Sequence, residues 1–320
     1  MSINYKPIEK GCGLYSCREH AIISVVKTFR ENYQLLLADA LNLKFEKNFL
    51  DKKYDMEKQI VSKKPTMPLL SDNYYGIKFT EVNIKGKDIN YIRDKLTEGH
   101  PIISQMDIYY DVHRPDFYKK IHSNNHVRVI TGVEKNALEI FEWDEKYVIS
   151  IDDFMSGLQY LYVIDIENKH QNICYKNIYY DEIGKYVTYY KENNIPEMII
   201  DWVKFIGYDG KLIEHIKKYK YIWMSPVFKA YRLWSTSKIK FNFFLDYIRE
   251  QGEFIENIEN IQCLLMRLYK KYWMISNILL KEFEKNNPSI TNDFEKKIRH
   301  FTADAVACEK QFITTLLASM

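Results

Sequence analysis

Residues 77–154 hold nearly all of the chain's strand-forming runs, and beyond about residue 185 these give way to apolar residues at three- and four-residue steps. A chain patterned this way closes neither as one sheet nor as one bundle. It must bury a sheet in its first half and the apolar stripes of long helices in its second. The expected fold is α+β over residues 1–165 with a mainly α-helical half over 166–320.

In the first half, short strands at 77–82 and 101–107 flank a helix over 88–98, and Ile149-Ser-Ile-Asp-Asp-Phe154 reads as a strand end feeding a helix capped by Asp152. A helix over 17–30 turns Ala21, Ile22, Val25, Val26 and Phe29 inward, and a second apolar-periodic run covers 33–45. Residues 46–75, lysine-rich and broken by Pro65 and Pro68, read as a loop or lid-like excursion. In the second half, Ile255, Ile258, Gln262, Leu265, Leu268, Tyr272, Ile275 and Leu279 form one helical stripe. Phe294, Ile298, Phe301, Ala305, Cys308 and Phe312 form another. Cys263 and Cys308 are assigned to packing on that pattern, and the aromatic runs at 219–223 and 231–234 read as core or the lining of a groove.

The chemistry is concentrated near the N-terminus and in one hairpin. Ser16-Cys17-Arg18-Glu19 is a capping box, which sets Cys17 at the first helical position. There the first-turn amides and the positive end of the helix dipole favour the thiolate, the form that attacks carbonyl carbon. The Cys17 amide can also donate to an oxyanion. Two β-rich runs, 126–133 and 138–144, surround the polar turn Glu134-Lys-Asn-Ala137. With the turn centred near Lys135, positions whose numbers sum to about 270 face each other, so Asp144 is expected opposite His126. The expected triad is Cys17 as nucleophile, His126 as general base and acid, and Asp144 as the group that orients it.

Composition narrows the setting. Aromatics at 15% with 26 Tyr exclude a disordered chain. Five scattered cysteines without a CxxC pair argue against a disulfide framework and a structural zinc. No apolar signal core or membrane-length apolar run is present, and a reducing cytoplasm is the expected location. A net charge of +3 gives no reason to expect nucleic acid, and residues 211–240, with eight Lys or Arg against Glu214, read as a solvated helix surface or a docking face for an acidic protein.

Around the triad the chain reads Ser16-Cys17-Arg18-Glu19-His20-Ala21, then Pro101-Ile-Ile-Ser-Gln-Met-Asp107-Ile-Tyr109-Tyr110, then Tyr118 and His122-Ser-Asn-Asn-His126. Val127-x-Val129-x-x-Gly132 follows, and Trp143-Asp144 with Ile151-Asp152-Asp153-Phe154 completes the set. Over residues 1–165 these motifs resemble the N-terminal domain family of the butirosin-biosynthesis protein H acyltransferase. The resemblance implies a papain-like fold and a ping-pong acyl or peptidyl transfer in antibiotic or nonribosomal peptide biosynthesis. The acyl group would pass from the phosphopantetheine thioester of a carrier protein through Cys17 to a small amine, with no cofactor held by the chain itself. Ser16, Asp107, Tyr109, Tyr110, Tyr118 and His122 would support the pocket. Papain-type sites carry a glutamine about six residues before the nucleophile; Gly11 stands there, which makes Gln105 a candidate oxyanion donor.

Other readings share these residues. The same triad permits hydrolysis by a cysteine peptidase or amidase, and the fold permits a noncatalytic binding protein. Cys12-Gly13 offers a second cysteine, without the helix start. Asp107, Asp111, His113, His122 and His126 would be the ligands of a metal site, but Ser123-Asn124-Asn125 reads as loop rather than the helix that i, i+4 histidines need.

Overall fold

The computed structural model describes residues 3–8, 13–45, 60–61, 67–84, 88–124, 126–167, 173–206, 212–285 and 292–320. The chain divides into two units, Met1–Leu36 with Thr66–Ile173 and Leu37–Pro65 with Cys174–Met320. The division falls beyond the expected residue 165, and 37–65 groups with the helical unit.

The first unit opens with α1 (Cys17–Phe29), followed by a short 3-10 turn at Gln34–Leu37. The apolar run over 33–45 begins with this 3-10 turn, which buries Leu35, Leu36 and Leu37, and ends in the first strand of a short ladder. A two-stranded ladder, β1 (Lys44–Phe45) with β2 (Ile60–Val61), belongs to the other unit. Most of the excursion expected over 46–75 lies outside the described residues. Its end is α2 (Met67–Tyr75), a helix where loop was expected, because Pro68 sits in the first turn, where a missing N–H costs no intrahelical bond.

Next come β3 (Ile77–Val82), α3 (Ile89–Thr97), β4 (Ile102–Met106), β5 (His126–Val133), β6 (Ala137–Glu142), β7 (Glu145–Ser150), α4 (Ile151–Gly157) and β8 (Leu158–Ile166). Six strands form one antiparallel sheet in the order β3-β8-β4-β5-β6-β7. The architecture is mixed helix and antiparallel sheet, as the α+β reading expects. Every residue of β4 is buried, as its central place requires. Ile102, Ile130 and Ile140 pack with Ile92 and Leu96 of α3 and Phe154 of α4, each such side chain contributing about 1.5–3 kcal/mol. Asp88 caps α3 by accepting from the Asn90 and Tyr91 amides. The cap of α4 is Ser150, not Asp152: its hydroxyl accepts from the Asp153 amide at 3.1 Å.

Gly157 fixes where the long β4–β5 connection begins. Its carbonyl accepts from the Asp107 amide at 2.9 Å, and an added Cβ would lie 3.0 Å from the Asp107 carbonyl oxygen. Any larger residue must push the connection away.

The second unit continues with α5 (Tyr175–Glu192), α6 (Ile195–Ile206), α7 (Leu212–Lys217), α8 (Pro226–Glu250), α9 (Ile258–Glu284) and α10 (Asn292–Ala318). Helix α9 packs against α8 and α10, and α10 against α5 and α6. The expected stripes are its core: Leu265, Leu268, Tyr272, Ile275 and Leu279 on α9, and Ile298, Ala305, Cys308 and Phe312 on α10 are buried. Cys263 is exposed, off the stripe. Tyr231 and Trp234 pack with Tyr272 as core rather than lining a groove, while Trp223 stacks on Tyr221 at the surface. The basic run loses part of its face, since Lys238 and Lys240 are buried and Lys238 pairs with the buried Glu309 at 2.8 Å. Among the described residues, no helix is long and apolar enough to cross a membrane.

Candidate active site

Helix α1 begins as its sequence dictates. The Ser16 hydroxyl accepts from the Glu19 amide at 3.3 Å, and the Glu19 carboxylate accepts from the Ser16 amide at 2.7 Å. This closed box holds Cys17 at the first helical position, half-buried. The helix packs on β5 and β6. Because those strands are antiparallel, the first residue of β5, His126, and the last of β6, Glu142, come to the same end of the sheet.

Cys17 and His126 share a side-chain hydrogen bond, and the Val127 amide donates to the sulfur. Burial alone would push the thiol pKa up, but the His126 bond, the His126 charge and the Val127 amide outweigh it and bring the thiol below its ordinary value. His126 moves the other way. Burial opposes its charge, yet the Cys17 and Glu142 contacts raise it above the usual imidazole value. Both shifts favour a thiolate–imidazolium pair.

The carboxylate on His126 is Glu142, with Oε1 at 2.5 Å from Nε2, close but out of line with the ring N–H. With Nε2 on the carboxylate, the thiol contact falls to Nδ1. The same Oε1 accepts from Arg114 Nη2 at 2.5 Å, and Oε2 accepts from the Tyr147 hydroxyl at 2.6 Å. Burial pushes this carboxyl up, but His126, Arg128 and Arg114 override it and hold it at about 2. The buried Arg128 is itself paired with Asp111 at 2.9 Å. Glu142 is therefore ionised across the range in which a thiol works.

Asp144, the expected orienter, lies elsewhere. Val129 faces Phe141 and Ile130 faces Ile140, as the expected register requires, but β6 ends at Glu142 and the chain reverses through Trp143 and Asp144. Both have positive φ, 50° and 67°, the two-residue turn that matches strand twist. The turn carries Asp144 off the ladder to His20, whose Nε2 is 3.4 Å away, and to the Ile8 amide, which donates to it at 3.0 Å. The Trp143 ring packs on His20, 4.8 Å between centroids. Glu142, two positions earlier, keeps the face that the alternation assigned to Asp144. Arg114 and Tyr147 were equally unmarked, since only the folded β4–β5 connection and β7 bring them to Glu142.

Most of the remaining expected residues contact one another along the β4–β5 connection. Asp107 accepts from the Tyr109 and Ser123 amides at 3.0 and 2.8 Å and pairs with His122 Nδ1 at 2.6 Å. Tyr109 stacks on His122 at 4.1 Å and meets Tyr110 edge-on at 5.0 Å. Tyr118 lies under the Lys119 ammonium. These contacts tie the β4–β5 connection to its own base. Gln105 is not turned toward an oxyanion: its Nε2 donates to the Asn124 carbonyl at 2.9 Å, and its Oε1 accepts from Arg18 at 2.8 Å. Gly11 and Cys12 lie outside the described residues. The alternative metal ligands are dispersed, with Asp111 on Arg128 and His113 on the Val148 carbonyl. Among the described residues, no group of three or more His, Cys, Asp or Glu is placed to hold a metal.

No protein-family model matches the sequence, and no curated protein matches it.

Proposed function

We propose that this protein is a cysteine-dependent acyl or peptidyl transferase built on a papain-like scaffold, with Cys17 as nucleophile, His126 as general acid and base, and Glu142 as the orienting carboxylate. The observation that supports it is geometric: Cys17 at a capped helix start touches His126, whose other side meets Glu142 at 2.5 Å, a carboxylate held by Arg114 and Tyr147. The opposed pKa directions of Cys17 and His126 agree with it. A thiol that is merely packed is pushed up by burial, as Cys308 is.

The Cys17 thiolate attacks the carbonyl carbon of a thioester donor. The oxyanion formed faces the first turn of α1, where the Cys17 amide can donate. Collapse expels the donor thiolate, which takes the proton from His126, and leaves an acyl-Cys17 thioester. Exchange of one thioester for another is nearly isoenergetic, so the first half needs no energy source. In the second half an amine attacks the acyl carbon and passes its proton to His126, and Cys17 leaves as thiolate while an amide is released. Glu142 holds the imidazole and stabilises its charged form in both halves. The resemblance over residues 1–165 supports a carrier-protein thioester as donor and a role in antibiotic or nonribosomal peptide assembly. Water in place of amine would make the same residues a peptidase or amidase.

The test is intact-protein mass after incubation with acyl-pantetheine thioesters, followed by an amine mixture. The expected result is one acyl adduct on the wild type, none on Cys17→Ala, and discharge by amine into an amide. Discharge to free acid alone would assign a hydrolase, and an adduct on Cys17→Ala would remove Cys17 from the mechanism.

A further inference from the structure

The residue after the nucleophile carries a charge that the triad does not use. Arg18 is half-buried at the start of α1, and its Nη2 donates to Gln105 Oε1 at 2.8 Å. Gln105 is held in turn by the Asn124 carbonyl, two residues before His126. Gln105 and Val127 are direct partners across β4 and β5, about 5 Å apart at their Cβ atoms. Val127 is the residue whose amide meets the Cys17 sulfur. The guanidinium and the thiol thus rest on facing positions of one ladder.

What anchors Arg18 is neutral. The acid next to it, Glu19, is taken up by the capping box, and Glu81 is engaged with the Tyr162 hydroxyl at 3.4 Å. Among the described residues, no carboxylate forms an ion pair with Arg18. A planar guanidinium fixed by a neutral amide keeps donors for a second, anionic partner, and its fork fits a carboxylate.

We infer that Arg18 is a specificity-determining residue that binds a carboxylate on the substrate, set a few atoms from the carbonyl that Cys17 attacks. This rests on Cys17 being the nucleophile and names the substrate class of that site. The phosphate of a pantetheine arm is separated from its thioester by the whole arm and does not reach a residue adjacent to the nucleophile. The carboxylate therefore belongs to the acyl group or to an amino-acid acceptor.

The first experiment alkylates the full-length protein with iodoacetate and with iodoacetamide, read at Cys17 by peptide mass mapping. In both, the sulfur bonds the methylene carbon and iodide leaves; only iodoacetate carries the anion. The iodoacetate-to-iodoacetamide rate ratio should fall about three- to tenfold in Arg18→Met and be largely kept in Arg18→Lys. Gln105→Glu, which supplies an internal carboxylate, should lower it as Arg18→Met does. An unchanged ratio in Arg18→Met, with Cys17 still the fastest cysteine, overturns the role of Arg18 alone. A Cys17 no faster than Cys174 or Cys263 in the wild type overturns the nucleophile reading and this inference together. The second experiment locates the anion: acylation by glutaryl- against butyryl-pantetheine tests the donor, and discharge by an amino acid against its amide tests the acceptor. A preference lost in Arg18→Met in one arm assigns the carboxylate to that arm. No change in either arm contradicts the inference.

Discussion

Two of the first unit's histidine–carboxylate pairs are built on one hairpin, and they favour opposite charge states of the ring. His126 with Glu142 and His20 with Asp144 draw their acids from positions two apart on one hairpin. They differ in what surrounds the ring. His126 touches a thiol and a carboxylate that Arg114 and Tyr147 keep fixed, and its charged form is favoured. Burial pushes the His20 pKa down more than Asp144 raises it, which favours the neutral ring between Trp143, Phe141 and the Ser24 hydroxyl. Proximity of an acid does not make a histidine catalytic. What sets His126 apart is a thiol contact on the ring and a carboxylate that stays ionised down to about 2.

The largest expected contrast is between the rings themselves. His126→Ala should lower acyl transfer by about 10²–10⁴-fold with the fold retained. His20→Ala should leave turnover of the folded protein near wild type and cost about 2–4 kcal/mol in thermal or denaturant unfolding, through the cavity beside Trp143 and Phe141.

The pH dependence separates the pairs next. A bell-shaped rate is expected, its acid limb set by the lowered Cys17 pKa and its alkaline limb by the raised His126 pKa. Glu142→Gln removes a contact that raises the imidazole pKa, so its alkaline limb should move to lower pH; Asp144→Asn should leave both limbs in place. Stability has its own window. The carboxyl of Glu142 is lowered from 4.5 to about 2 by folding, so its contribution is complete above 4.5 and is lost as pH falls from there toward about 2. Wild type should therefore lose more stability across that interval than Glu142→Gln in acid denaturation.

The smallest effects belong to the supports. Gly157→Ala should cost about 1–3 kcal/mol by displacing the β4–β5 connection. Ser16→Ala should cost about 1 kcal/mol and slow acylation only modestly, since the helix start frays while Cys17 keeps His126.

Much of this was legible in the chain. The capping box put Cys17 at a helix start because its partners are three residues apart and need nothing distant. The β5–β6 register was readable only in part: Val129–Phe141 and Ile130–Ile140 pair as expected, but next to the turn Gly132–Glu139 and Val133–Leu138 are one residue off, and an irregularity between Ile130 and Gly132 that the sequence does not mark absorbs the difference. The carboxylate beside His126 lies two positions before the expected Asp144 because Trp143 and Asp144 close a turn that asks for two positive φ values, and a tryptophan gives no such signal. That turn is held instead by the Trp143–His20 ring contact and by the Ile8 amide on Asp144, both tertiary. Helix α2 was hidden by Pro68, read as a breaker when it lies in a first turn. Asp107, Tyr109 and His122 came from the resemblance; their mutual contacts needed the folded connection.

The most direct test is the rate of Cys17 acylation by a single acyl-pantetheine thioester, measured by intact mass in wild type, Glu142→Gln and Asp144→Asn. A loss of about 10²-fold or more is expected in Glu142→Gln and a near wild-type rate in Asp144→Asn. A slow Asp144→Asn beside a fast Glu142→Gln would contradict it.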